Sequence, residues 1–396
     1  MKNLLLKWSL NILTRLLIRK YNPYIIAVTG SVGKTSTKEA IVSLLSNNFN
    51  VRGSSGNLNT EFGAPLVFLK EDKAAESFKE WIEIIGRGVL LLFSKNDYPE
   101  MIVVEVAADK PGDIRYLSKI IKPHIAVVTA IGEVPVHIEF YKDAEDVAKE
   151  KKILTSFSRE INILSFDDPL VEKMSEKRIT FGFNKGADVQ IKDFKNTLEG
   201  SSFTLSYNGR ESYFNIPFIG KPYAYSVAAA FSVATYLGID NVSLGVMKNP
   251  PGRLSLIEGK KDTLIIDGSY NSSPIALSSA LETLKSLPGK RKIAVIGDML
   301  DLGEYSEEEH SKIREKASFC DHLISVGKYA KYVGGVTLSR SEDAIPLLEE
   351  IIKPGDVILI KGSQGVRTEK IVLGIMRYPE RAKDLLVRQT PFWKKR

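Results

Sequence analysis

The chain has 396 residues, 43% of them hydrophobic and 26% charged, which allows two or three ordinary domains and excludes a disordered or low-complexity protein. A single cysteine, Cys320, excludes an intramolecular disulfide, and no stretch reads as a cleavable leader, so the expected location is the reducing cytoplasm. The net charge of +7 sits at the two ends, because residues 1–20 and 381–396 each carry +5; the body, at −3, lacks the broad basic face that nucleic-acid binding needs.

In chain order, the first expected element is a basic amphipathic helix over residues 1–24. Leu6, Leu10, Leu13 and Leu17 recur at helical spacing, with Lys7, Asn11, Thr14 and Arg15 on the other side. The run is too short and too broken by charge to span a bilayer, which takes about 20 apolar residues. Two places are open for its apolar face: the protein's own core, or a peripheral position on anionic lipid. The apolar run over residues 81–93 has the same two readings.

Next, the strand Ile25-Ile26-Ala27-Val28 runs into Thr29-Gly30-Ser31-Val32-Gly33-Lys34-Thr35-Ser36 and then a helical stretch. This is a nucleotide-phosphate loop, with Val28 where the general pattern has glycine. Its glycines turn amides toward oxyanions, the helix aims its positive end the same way, Lys34 adds charge and Thr35 offers a hydroxyl to Mg²⁺. ATP is therefore the expected cofactor, held by Thr29, Gly30, Ser31, Gly33, Lys34, Thr35 and Ser36.

Strand-like runs at 101–106, 125–129 and 161–164 alternate with helical stretches, which predicts a mostly parallel sheet. Residues 177–218 read as a small antiparallel addition with a hairpin at Asn208-Gly209. A small-residue helix over 224–237 leads to Asn249-Pro250-Pro251-Gly252, a natural linker. After it the alternation restarts, with strands at 263–267, 292–297, 322–326 and 357–361. The expected architecture is a central P-loop α/β domain over 25–248 and a Rossmann-like α/β domain with a basic tail over 249–396.

Glu105 closes the run Val103-Val104-Glu105, which places a carboxylate at the C-terminal edge of a parallel sheet and makes it a Mg²⁺ ligand candidate. Taken alone, His137 reads as a hydrogen-bonded loop residue and Lys151 as part of a solvated helix face. Their setting among further segments changes that reading. Gly56-Asn57-Leu58-Asn59, Gly63-Ala64-Pro65-Leu66, Pro111-Gly112-Asp113-Ile114, His137-Ile138-Glu139, Gly252-Arg253-Leu254, Asp267-Gly268-Ser269-Tyr270-Asn271, Gly297-Asp298-Met299-Leu300-Asp301 and Lys361-Gly362-Ser363 follow the P-loop in order. With them the chain resembles the Mur ligase family over roughly residues 25 to 370.

The resemblance implies an ATP-dependent, ADP-forming amide ligase of peptidoglycan synthesis that activates a carboxylate as an acyl phosphate. It implies D-alanyl-D-alanine or a similar amine joined to a muramoyl-peptide acceptor, by a protein expected to be a monomer. It assigns catalysis to Lys34, Glu105, His137 and Lys151, with two Mg²⁺ held by Thr35, Glu105, His137 and a carbamylated Lys151. Arg253, Asp267, Tyr270 and Asn271 fall beside the nucleotide, and Asn57, Asn59, Lys361, Ser363 and Arg367 toward the substrates. The chain departs from the family at Asp267-Gly268, where two aspartates are usual, and at Pro222 and Ser226, where a histidine and an asparagine are usual. It also has only some 24 residues where the family has a uridine-binding domain, which admits a non-uridine or lipid-linked acceptor. A membrane-associated regulatory protein using ATP as a switch is the alternative of another class, although a switch has little need of a second metal site.

Overall fold

A computed structural model describes residues 2–394 except Asn57, Lys95, Asn96 and Asn241; the substrate expectation at Asn57 lies outside the described residues. Two sheets organise the chain. The first contains β1 (Tyr24–Thr29), β2 (Val51–Gly53), β3 (Met101–Glu105), β4 (Ile125–Val128), β5 (Ile161–Ser165), β6 (Arg178–Gly182), β7 (Val189–Thr197), β8 (Gly200–Tyr207) and β9 (Arg210–Ile216). Its order is β2-β3-β1-β4-β5-β6-β7-β8-β9, parallel from β2 through β7 and antiparallel across the last two pairs. β1 is central and buried from Ile25 to Thr29, as a continuous apolar run should be when helices cover both sheet faces.

On one face pack the P-loop helix Lys34–Leu45 and the alanine-rich helix Lys221–Tyr236. The other face carries Lys2–Tyr21, Gly63–Phe68, Phe78–Phe93 and Asp113–Ile121. The second sheet holds β10 (Ser255–Gly259), β11 (Thr263–Gly268), β12 (Lys292–Gly297), β13 (His322–Val326), β14 (Val336–Leu338) and β15 (Val357–Lys361). Its order is β10-β11-β15-β12-β13-β14, and only β10 runs antiparallel to its neighbour. The mixed α/β architecture is the one expected.

Two local expectations are corrected. Residues 178–182, read as the start of the antiparallel addition, pair parallel with β5; the twelve residues between the strands include a short helix, Pro169–Glu172, and suffice for a parallel crossover. In the first sheet only the β7–β8 and β8–β9 pairs are antiparallel, the second closed by Asn208 (φ 49°) and Gly209 (φ 77°), the left-handed pair of a tight hairpin turn. Thr14, placed on the polar side of the first helix, is fully buried with Leu10, Leu13 and Leu17.

That first helix docks on the protein itself. It packs beside Phe78–Phe93, where Gly88 permits close approach: a Cβ there would lie 2.9 Å from Leu69 and 3.3 Å from Leu13. Lys20 Nζ donates to the carbonyls of Leu91, Leu92 and Ser94 at 2.6–3.1 Å, capping the end of its neighbour. Among the described residues no helix is long and apolar enough to cross a membrane.

Candidate active site

The C-terminal ends of the strands in both sheets face one cleft of about 1710 Å³, the edge where open parallel sheets bind ligands. From the first sheet come the loop after β1, Glu105 at the end of β3, Thr129 after β4, and Asp167 and Asp168 after β5. Arg253, Tyr270, Asn271, Asp301, Lys361 and Ser363 arrive from the second domain.

The P-loop has the expected backbone. Gly30 (φ 144°) passes so close to β4 that a Cβ would meet Thr129 Oγ1 at 1.9 Å, and Gly33 (φ 82°) precedes Lys34–Leu45. That helix has neither a side-chain cap nor an acid in its first turn, so its amides and positive dipole end face the cleft uncompensated. Ser31 and Val32 instead donate their N–H groups to Ala130 O, pinning the loop to the strand beside it. Lys34 Nζ turns back onto Gly30 O (2.9 Å) and Ser31 O (3.2 Å). Thr29 and Ser36 are buried at the two ends of the loop.

Beside the loop, Thr35 Oγ1 donates to Glu105 Oε2 at 2.8 Å and Asn59 Nδ2 donates to Oε1 at 2.9 Å, which fixes a carboxylate only 2% exposed. These hard oxygen donors suit Mg²⁺, which binds through one or two protein groups and completes its shell with phosphate and water. Among the described residues no cluster of three or more His, Cys, Asp or Glu is present.

His137, held at φ 66°, stands between the domains, with Nε2 3.6 Å from Asp109 Oδ1 and Nδ1 3.7 Å from Asp301 Oδ2. Of three neighbouring lysines on helix Ala144–Phe157, Lys149 and Lys152 are exposed, whereas Lys151 is 5% exposed and lines the cleft. Burial, reinforced by the Lys34 ammonium, lowers its amine to about 7.

From the second domain, Arg253 crosses the cleft, one guanidinium nitrogen donating to Thr35 Oγ1 at 2.9 Å while the fork lies 4.0 Å over the Tyr270 ring. The buried Tyr223 hydroxyl bonds the Arg253 carbonyl and Asn249 and so anchors the linker. Lys361 Nζ donates to Asn271 O at 2.7 Å, and burial together with Arg253 lowers it to about 8. Burial also depresses Lys34, with Arg253 adding to the effect. Amines lowered by burial and by a neighbouring cation across a cleft answer to a polyanion, whose arrival relieves both repulsion and desolvation. Buried side-chain atoms without a partner among the described residues, Ser31 Oγ, Arg253 Nε and Ser272 Oγ, line the same space.

Asp267, fully buried at the end of β11, accepts from Ser269 N at 2.9 Å, and burial raises its carboxyl to about 6. It stands behind the cleft wall rather than in it. Ser363 accepts from Leu300 N and donates to Ser272 O, tying three loops together. Arg367 lines the cleft, but its Nε is engaged by Glu369 (2.6 Å) and another nitrogen by Trp393 O (3.0 Å).

Three groups escaped the sequence reading. Lys38, fully buried, pairs with Glu39 (2.7 Å) and bonds Ser54 O, bracing the segment that presents Asn59. Arg388, on the basic tail, donates to Ser269 O and Tyr270 O and pairs with the buried Glu369 at 3.1 Å. Trp393 folds back over Arg367 and Arg388 and lines the cleft. The aromatic inside a basic run was the available signal for the last two.

Comparison with known proteins agrees with this geometry. Residues 28–234 match the Mur ligase middle domain and residues 252–364 the Mur ligase, glutamate ligase domain. The UDP-N-acetylmuramoyl-tripeptide--D-alanyl-D-alanine ligase of Bacillus subtilis strain 168 is 29% identical over 94% of this chain and 80% of its own length. The Escherichia coli K12 protein of that name is 28% identical over 88% and 76%. Among solved structures, MurF ligase from Thermotoga maritima in complex with ADP is similar at TM-score 0.79 and 29% identity, covering 96% of this chain and 84% of that one. MurF from Acinetobacter baumannii is similar at TM-score 0.78 and 26% identity, covering 92% and 79%.

Proposed function

The chain belongs to the Mur ligase family, and from that premise we propose that it adds D-alanyl-D-alanine to a muramoyl peptide at the expense of ATP, in the cytoplasm and as a monomer. The observation that carries the reading is the convergence of Lys34, Arg253 and Lys361, the two amines lowered by burial and by the Arg253 charge, beside the Thr35–Glu105 pair at the edge of two parallel sheets.

ATP phosphates lie along the P-loop amides and the Lys34–Arg253 cations, with Tyr270 and Asn271 on the nucleoside side and Asp267 behind them, holding the turn through Ser269 N. The acceptor carboxylate attacks the γ-phosphorus, the bond to the ADP oxygen breaks, and the charge developing on the transferring group falls among preorganised donors. The amine then attacks the acyl carbon, loses a proton and expels inorganic phosphate. Thr35 and Glu105, and at a second position His137 and Lys151, would hold Mg²⁺, which would supply charge neutralisation on the phosphates.

Lys151 serves that second position as a carbamate, formed when its neutral amine takes up CO₂ and releases a proton. An amine near 7 is about half neutral at neutral pH, against less than one part in a thousand at the ordinary value. Asn59, with Asn57 beside it in sequence, faces the acceptor, and Lys361, Ser363 and Arg367 face the amine. Arg367 meets the amine's carboxylate only by sharing the guanidinium now held by Glu369 and Trp393.

The outward faces of the first helix favour a second reading of the acceptor, a lipid-linked muramoyl peptide met at a membrane surface. The test is ADP release with D-alanyl-D-alanine plus either UDP-muramoyl tripeptide or its lipid-linked form, with mass spectrometry of the product. A pentapeptide product with one ADP per bond is the expected result. ATP binding without turnover on either acceptor overturns the ligase reading.

A further inference from the structure

The helix Lys2–Tyr21 and its neighbour Phe78–Phe93 bury one face each and leave another apolar face outward. Leu5 (64% exposed), Trp8 and Leu16 on the first, and Ile82, Val89, Leu90 and Phe93 (82%) on the second, stand in solvent. Of the fifteen large apolar side chains exposed among the described residues, eight lie on these two helices, a concentration that scattered surface residues do not produce.

Charge says what covers it. The first helix carries five bases and no acid. Leu13 meets Gly88 and Lys20 caps the carbonyls of residues 91, 92 and 94, so the helices run side by side in the same direction. Exposed Arg19 and Lys20 therefore stand at the Leu90–Phe93 end, while the acids Glu80 and Glu83 lie at the opposite end of the second helix, Glu83 facing Lys79 at 3.9 Å. A protein partner needs no such one-sided basic rim. An anionic lipid surface does, with Trp8 suited to the headgroup level. Lys7 pairs with Glu61 at 2.6 Å, two residues from Asn59, so the start of the first helix stands beside the cleft.

We propose that the paired outward faces of helices Lys2–Tyr21 and Phe78–Phe93 form one docking surface for an anionic membrane, which holds the cleft next to the lipid. The proposal deepens the lipid-side acceptor reading above, yet the binding it describes requires no catalysis. The experiment is flotation of the full chain with vesicles of equal parts phosphatidylcholine and phosphatidylglycerol, against vesicles of phosphatidylcholine alone, at low and high salt. The wild type is expected to float with the anionic vesicles, less so at high salt, and to stay in solution with the neutral ones. The double variant L90E/F93E, on exposed positions that leave the core intact, is expected to lose at least tenfold in bound fraction with ATP turnover on the soluble acceptor unchanged. W8E is expected to lose less. A wild type that never floats overturns the proposal, as does a double variant that floats as well as wild type. Self-association of the wild type that L90E/F93E abolishes, without flotation, also overturns it and assigns the face to a second copy. Failure of the ligase reading shows separately, as vesicle binding intact with no turnover on any acceptor.

Discussion

The first domain lines the cleft with groups that follow directly on strands: the loop after β1, Glu105 at the end of β3, Thr129 just past β4. The second domain builds its wall from distant pieces, since Arg253 on the linker stacks on Tyr270, Arg388 on the tail holds the carbonyls of Ser269 and Tyr270, and Glu369 joins Arg388 to Arg367. One wall is set by backbone geometry, the other by buried ion pairs across long sequence separations. The first wall should therefore lose chemistry when a side chain is changed and keep its fold, while the second should lose both.

The largest effect falls on the first wall. Glu105→Gln keeps hydrogen-bonding capacity toward Thr35 and Asn59 but removes the charge a metal needs, so kcat should fall by about 10³-fold with thermal stability nearly unchanged, read by ADP release and calorimetry. Arg253→Ala removes the guanidinium that joins Thr35 on the first wall to Tyr270 on the second. It is expected to cost about 10²-fold in kcat/KM for ATP, visible in a titration of nucleotide.

On the second wall, Arg388→Gln leaves Glu369 buried with Arg367 as its remaining partner. Stability should drop by about 3 kcal/mol in urea unfolding, and the KM for ATP should rise because the Ser269–Tyr270 turn loses its support. If activity falls with stability untouched, the contrast between the walls is broken.

Lys151 sharpens the contrast by pH. Its amine sits near 7 in the fold against about 10.4 unfolded, so the unfolded chain binds more protons between those values and stability rises with pH there. In CO₂-free buffer the wild type should gain about 2–3 kcal/mol over Lys151→Met between pH 6 and pH 9, measured by parallel unfolding curves. The variant should also lose turnover at every pH. The smallest effect belongs to the exposed L90E/F93E pair, which should shift stability by less than about 0.5 kcal/mol.

Legibility in the sequence follows the same division. The P-loop was readable because contiguous residues must satisfy its backbone, as Gly30 shows against Thr129. Strands β12, β13 and β15 were readable as short β-branched runs between helical stretches. The direction of β6 was not, because a strand's own residues do not state which neighbour it pairs with. Nor was the burial of Thr14, which depends on what the helix docks against. Lys151 stood among three similar lysines until the turn of its helix selected it. Arg388 read as part of a basic tail, because its partner Glu369 and the carbonyls it holds lie 19 or more residues away and meet it only in the fold.

The central claim is that ATP drives amide formation through an acyl phosphate in this cleft. Its most direct test is a single-turnover reaction with an acceptor carrying ¹⁸O in its carboxylate, followed by mass analysis of the released phosphate. The account predicts one ¹⁸O in the phosphate and one in the new amide. Unlabelled phosphate accompanying the amide, or phosphate released with no amide at all, would contradict it.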